Sequence, residues 1–455
     1  MREVDNRLSA VDLTVPGGRY VIASGKNETL SSAANALLPL LPLPYTSSAE
    51  AGWDRSLLRP SYRRYAPRFG LAWTLPGQQT TVIRAGYGVF LNQWAYSVQQ
   101  AFARNLPFFL LKNVNTPADA LVPTWRTSDI LTSTELGNIS GNTMDHDYRT
   151  EYTQTWTLGV QRQLTGSTVI EISYMGNHTV GADNGNVLNV PVPGEGPIDP
   201  RRPVPQLSSI RTIRWNGWGT YNALTVRVER RLAAGLTLAT NYAWSKSMDD
   251  ASDPGPTAYE QNLPQDVRNL GAEKGLSSYD HRHRFVSSFV YEIPTPKAVS
   301  GRMRSALQGW QLGSIVTAQS GAPFTVVNGV DRANIGAGPA QRPDLVRNPN
   351  LPRGERDPQQ WFDTSAFVQP TPFTFGNAGR NVVVGPGLGN LDMSLQRNFR
   401  LREGQRIEFR WEVFNVFNTP HFDIPGRIAF SPNFGRIFNT AESSRQMQFG
   451  MKVVF

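Results

Sequence analysis

The stretch that decides the fold is Gly404-Gln405-Arg406-Ile407-Glu408-Phe409-Arg410-Trp411-Glu412-Val413. Ile407, Phe409, Trp411 and Val413 fall on every second position, and Arg406, Glu408, Arg410 and Glu412 fill the positions between. Successive residues of a strand point to opposite faces, so this segment carries one wholly apolar face and one wholly charged face. Four ionised side chains in a row do not enter a dry core. The segment therefore reads as a wall with hydrocarbon on one side and water on the other.

The same alternation recurs outward from this point. Leu391, Met393 and Leu395 oppose Asp392, Ser394, Gln396 and Asn398. Leu224, Val226 and Val228 oppose Thr225, Arg227 and Glu229. Leu236, Leu238, Tyr242 and Trp244 oppose Thr237, Asn241 and Ser245, and Trp156, Leu158 and Val160 oppose Thr155, Thr157 and Gln161. Five strand pairs follow: 65–75 with 79–91, 151–164 with 167–177, 219–232 with 235–246, 281–293 with 307–319, and 388–401 with 404–418. A last strand runs from about 443 to the end. Strands of ordinary globular sheets average about 5–6 residues. Segments twice that length suit tilted strands crossing an apolar band of ~25 Å. Within a pair the connection is tight, as at Pro76-Gly77, Gly166-Ser167, Ala234-Gly235 and Glu403-Gly404; 294–306 is longer. Between pairs the connections are long and rich in Pro, Gly, Asn and Asp. If the C-terminus is periplasmic, every short turn falls on that side and every long loop falls outside, as bacterial barrels require.

The expectation is an all-β fold: an antiparallel transmembrane β-barrel, partial, of about 11–12 long strands with short periplasmic turns and long extracellular loops. Residues 64–455 form the C-terminal portion of the barrel, and 1–63 an extracellular loop or poorly ordered lead-in. Trp73, Tyr87, Trp156, Tyr174, Tyr242 and Trp244 are candidates for an aromatic girdle, since such rings favour the membrane–water boundary. Arg227, Glu229, Arg406, Glu408, Arg410 and Glu412 are candidates for a luminal polar face. A soluble sandwich also alternates, but its strands are short. A propeller needs regular blade repeats, and none is present.

Composition fits. The hydrophobic fraction is 39%, with 40 Gly and 33 Pro. Mean hydropathy is −0.36, as expected where only alternate strand residues meet lipid. The absence of cysteine excludes disulfides, thiolate metal sites and cysteine nucleophiles. The net charge is +9, with Arg greatly outnumbering Lys. The arginines are scattered and form no basic arm, which argues against nucleic-acid binding. They suit a polar lumen and the phosphates of lipid headgroups and lipopolysaccharide.

Several short segments resemble the barrel of TonB-dependent transporters of the Oar-like group. They include Ala66-Pro67-Arg68-Phe69-Gly70, the stretch from Val82 to Phe90, the stretch from Gln154 to Asn177, His281-Arg282-His283-Arg284-Phe285, Ser320-Gly321-Ala322-Pro323-Phe324 and Phe414-Asn415-Val416-Phe417-Asn418. The resemblance runs in order through most of 60–455. It implies an outer-membrane location, ligand uptake and no enzymatic activity or cofactor. It further implies a plug and an N-terminal segment that engages the energy-coupling protein TonB. Neither is visible here, so the chain is expected to be the tail of a longer one. Luminal ion pairs would tie the wall to such a plug. Phe449, Met451, Val453 and Phe455 share one face of the final strand and resemble the signal read by the barrel-assembly machinery. A structural or adhesive barrel without transport is the alternative.

Other candidate chemistry is sparse. His281 and His283 are spaced as metal ligands on a strand, but no further ligand stands near them. The orientation of their strand is open, because Phe285 and Phe289 share one face and Val286 and Val290 the other. Asp249, Asp250 and Asp253 cluster in a loop without the spacing of a calcium-binding loop. No P-loop, G-x-S-x-G or H-E-x-x-H sequence occurs.

Overall fold

The computed structural model describes residues 7–25, 30–59, 65–92, 101–109, 139–252, 263–336, 341–402 and 405–455. Eleven long strands make one wall: β1 (Arg68–Thr74), β2 (Thr81–Leu91), β3 (Tyr152–Thr165), β4 (Thr168–Leu188), β5 (Leu207–Ala233), β6 (Leu236–Asp249), β7 (His283–Glu292), β8 (Trp310–Gln319), β9 (Leu388–Arg402), β10 (Gln405–Phe414) and β11 (Gln446–Val454). Each pairs with its neighbours in the sequence, so strand order is chain order. All ten pairings are antiparallel. Among the described residues β1 pairs only with β2, and β11 only with β10. The described wall is therefore all antiparallel, as expected, and open at both edges. Among the described residues no helix is long and apolar enough to cross a membrane.

The turn between β5 and β6 shows how short connections are set. Ala234 and Gly235 have φ of 50° and 77°. Two successive left-handed residues match the right-handed twist of the flanking strands. Residues 403–404, between β9 and β10, lie outside the described residues.

Two strands overrun their expected ends. The segment 178–218, read as a loop, is strand as far as Leu188 and again from Leu207. Past the hydrocarbon a strand needs no apolar alternation, so Asn184-Gly185-Asn186 carries no barrel pattern although its backbone still pairs with Arg214, Ile213 and Thr212. Register shifts around Ala182, with Gly181 at φ 76°, mark where this hairpin leaves the wall.

Residues 1–63, expected to be an extracellular loop or poorly ordered lead-in, carry secondary structure of their own. Their described part is ordered: Ser9–Asp12, Arg19–Ile22 and Tyr45–Ser47 form a three-stranded sheet. Val11, Tyr20 and Val21 are at most 1% exposed. Strands this short show no readable period. Their core partners, Ile139, Leu207 and Ile210, come from distant parts of the chain. This sheet packs on the outward part of β5 and on Ile139–Met144, which pairs with it in parallel.

The described apolar cores lie at the long-loop end, outside the membrane-crossing rows. One gathers Leu57, Phe102, Met144 and Trp215, another Val11, Tyr20, Leu207 and Ile210. A third is built from the loops 320–387 and 419–442 around Phe324, Phe362, Phe367 and Val383. The loops thus fold into a cap.

Candidate functional site

The register fixes what each face of the wall presents. Leu71, Ala85, Leu158, Tyr174, Leu224 and Trp244 are successive cross-strand neighbours. The next row is Trp73, Ile83, Val160, Ile172, Val226 and Tyr242. Farther along, Tyr291, Leu312, Leu395, Trp411 and Phe449 continue the same face. Its large side chains are not packed away: Leu158 is 55% exposed, Trp244 53% and Phe449 71%. They form a continuous apolar surface that no part of the described chain covers.

The aromatic candidates occupy three consecutive rows of this face. Tyr87 donates its hydroxyl to Gln154 Oε1 at 3.0 Å, and Tyr174 donates to Asn222 Oδ1 at 2.6 Å. Tyr242 Oη lies 2.8 Å from His283 Nδ1. Each hydroxyl reaches one row toward the long loops, as an aromatic ring does when its body is in lipid and its tip is wet. Trp156 lies flat over Gly176, where a Cβ would meet the indole at 2.4 Å. Trp73 sits at the short-turn end of β1.

The opposite face carries the charges. Arg406 pairs with Glu408 at 2.8 Å and Arg410 with Glu412 at 3.5 Å. Arg227 pairs with Glu229, and Gln448 also donates to Glu412. Each of the three ion pairs joins residues two apart on one strand, the first two on β10 and the third on β5. Each is open to solvent in this chain, so each adds little to stability. The candidate luminal residues therefore share one face and balance their own charge. Met451 and Val453 are 73% and 52% exposed, on the apolar side with Phe449, and Phe455, just past the strand end, is 93% exposed. Phe449 stacks on Trp411 at 5.9 Å.

The histidine question is settled by register. Phe285 lies opposite Tyr242 and Phe289 opposite Leu238, so this side of β7 is the apolar one. His283 stacks on Tyr242 at its edge. His281 Nδ1 lies 2.7 Å from the Ser320 carbonyl. The aspartates do not converge either. Asp249 is buried against Arg380, and Asp250 accepts the Trp218 N–H at 3.0 Å. Asp253 lies outside the described residues. No cluster of three or more potential metal ligands occurs among the described residues.

The cap holds what the sequence reading missed. Arg342 grips Glu273 with two hydrogen bonds of 2.6 and 3.0 Å, both side chains being at most 4% exposed. Arg380 joins Asp249 to the Glu273 carbonyl. These two arginines lock the loop 320–387 to the loop 247–280. Beside them, the N-terminal sheet, the segment 143–146 and the β4–β5 hairpin border an open pocket of about 560 Å³. Its wall combines Leu13 and Val204 with Trp53, His146, Arg214 and Arg268. His146 stacks on Trp53 at 4.3 Å and hydrogen-bonds the Leu57 carbonyl through Nδ1. Burial raises the Asp145 carboxyl above the usual carboxylate range, although Arg214 stands 3.6 Å away. Such a mixed lining suits a ligand with an apolar body and charged groups.

A wall with one greasy face, one charged face and a folded cap has a counterpart among known families. The family model described as outer membrane beta barrel domain matches residues 1–448. The chain belongs to this outer-membrane β-barrel family. Its location is the outer membrane. Its short turns are periplasmic and its cap is extracellular. Solved structures similar to this barrel include the outer membrane transporter YddB from Escherichia coli, at 10% identity and a TM-score of 0.47, covering 86% of this chain and 40% of that one. The FrpB iron transporter from Neisseria meningitidis (F3-3 variant) aligns at 12% identity with a TM-score of 0.40, over 85% of this chain and 38% of its own. FpvA of P. aeruginosa, bound to heterologous pyoverdines, aligns at 10% identity with a TM-score of 0.42, over 86% and 33%. The barrel chain spans 33–40% of the length of these proteins. No curated protein matches it.

Proposed function

We propose that this barrel section belongs to a TonB-dependent transporter of the Oar-like group that takes up a ligand through the outer membrane. In this reading the chain is part of a longer protein. The plug and the segment that touches TonB are supplied from outside it. Arg227, Glu229, Arg406, Glu408, Arg410 and Glu412 line the lumen, and the six aromatic residues form the girdle. Phe449, Met451, Val453 and Phe455 act as the barrel-assembly signal, and the girdle meets phospholipid and lipopolysaccharide.

One observation carries the proposal: the extracellular loops fold into a cored cap that bears an open pocket of about 560 Å³ with a lining of mixed polarity. A pocket at the extracellular end, with apolar and charged groups in its wall, is where a ligand bound for the lumen would first be held. The same cap could instead present an adhesive surface, which is the second reading.

Mass spectrometry of the growth medium separates the two. Cells carrying the complete gene, with and without their energy-coupling protein, are compared with cells lacking the gene. Uptake predicts that one class of compound disappears only when both are present. It also predicts that Trp53→Ala with Arg214→Ala slows this depletion. Identical depletion in all strains, with loss of surface adhesion in the gene deletion, contradicts the transport reading.

A further inference from the structure

The periplasmic connection between β7 and β8 is longer than the other short turns and contains a helix, Gly301–Leu307. Every residue of that helix is exposed in this chain, and Met303 and Leu307 are 65% and 44% exposed. Met303, Ala306 and Leu307 recur at helical spacing and share a face, while Arg302 and Arg304 flank it. An isolated helix of seven residues is not stable in water, so something must hold it.

Arg397 shows where it sits. On β9, Leu391, Met393, Leu395 and Arg397 alternate on one face. Leu395 is the register partner of Leu312 and Trp411, and Arg397 that of Trp310 and Phe409. Arg397 thus stands on the lipid-facing side, at the periplasmic end, and is 8% exposed. It donates to the carbonyls of Ala306 (2.6 Å) and Ser305 at the end of the helix. Its guanidinium lies 5.4 Å from the Trp310 ring centre and 4.1 Å from that of Phe399. Trp310 Nε1 donates to the Ala306 carbonyl at 3.0 Å. A cation at a helix C-terminus satisfies carbonyls that have no partner in the helix. Because Arg397 is on the outer side of the wall, the helix it holds is on the outer side too.

We infer that Gly301–Leu307 is an interfacial anchor that lies on the periplasmic leaflet and binds anionic phospholipid. Met303 and Leu307 enter the upper acyl region beside Trp310. Arg302, Arg304 and Lys297 meet headgroup phosphates. A basic, amphipathic helix continuous with the apolar belt is suited to that boundary. Higher on the same outer face, Leu312, Met393, Leu395 and Trp411 border an open apolar groove of about 300 Å³.

The chain has no cysteine, so an introduced cysteine is the only one within it, and the unsubstituted complete protein treated with the same reagent supplies the background. Bimane is attached at Met303→Cys, and separately at Val346→Cys in the cap, in the complete protein held in nanodiscs of phosphatidylethanolamine and phosphatidylglycerol. The label at 303 should be quenched at least threefold more by lipids brominated near the headgroup than by aqueous iodide. The label at 346 should show the reverse. Replacing phosphatidylglycerol with phosphatidylcholine, or introducing Arg302→Glu with Arg304→Glu, should cut the brominated-lipid quenching at 303 by half or more. Equal iodide access at 303 and 346 overturns the anchor. Quenching unmoved by lipid charge and by the double variant overturns the preference for anionic lipid. The label at 346 and heat-modifiable migration report folding independently of either result.

Discussion

The wall and the cap are made from one chain by opposite rules. In the wall, apolar side chains such as Leu158, Trp244 and Phe449 point away from the protein and stay open. The sheet is held by its backbone ladder and by the solvent on either side of it. In the cap, Tyr20, Phe324, Phe362 and Leu207 are at most 1% exposed, and charges are paired in the dark, as Arg342 with Glu273. The cap is an ordinary globule built on a membrane protein. Damage to the two regions should therefore appear in different measurements.

The largest effect is expected in the cap. Glu273→Ala leaves Arg342 buried without its partner, at a cost of about 3–5 kcal/mol. Amide exchange should accelerate across the loops 247–280 and 320–387, while the heat-modifiable band of the folded wall persists. Loss of both together would mean that wall and cap fold as one unit.

The next effect lies in the wall and depends on its face. Val226 sits between Ile172 and Tyr242 on the apolar side, whereas Ala239 is opposite Glu229 on the charged side. Val226→Arg should cost about 2–4 kcal/mol in urea titrations of the refolded barrel. Ala239→Arg should stay within about 0.5 kcal/mol. Equal costs would erase the distinction between the faces. Tyr174→Phe removes the bond to Asn222 and should cost about 1 kcal/mol, without altering exchange in the cap.

The smallest effect is a pH dependence of the N-terminal sheet. Burial of Asp12 opposes its charge, but hydrogen bonds from the Thr14 hydroxyl and N–H and from Arg19 prevail and lower its pKa. A lowered folded-state pKa adds stability above the unfolded carboxylate value, and that stability is lost as pH falls through the folded one. Asp12→Asn should speed exchange of Tyr20 and Val21 at neutral pH. The difference from the unaltered protein should vanish in acid. A difference that persists there would assign the effect to packing.

The wall was legible because each strand records its own surroundings. The alternation of Arg406 to Val413 needs no distant partner to be understood. The cap was not legible, because its cores are assembled from residues far apart. Leu207 packs with Val11, and Glu273 pairs with a residue 69 positions away. Some signals were present. Phe324-Thr325-Val326-Val327 and Val382-Val383-Val384 are too apolar for plain solvated loops. Arg397 interrupts the face begun by Leu391, Met393 and Leu395, which marked a lipid-side charge in need of a partner.

Spin labels placed singly at 224 through 229 of β5 give the most direct test of the central claim, in the complete protein reconstituted in lipid. Labels at 224, 226 and 228 should collide with oxygen and escape a water-soluble nickel complex. Labels at 225, 227 and 229 should do the opposite. Six labels shielded from both reagents would place these side chains inside a soluble globule and contradict the account.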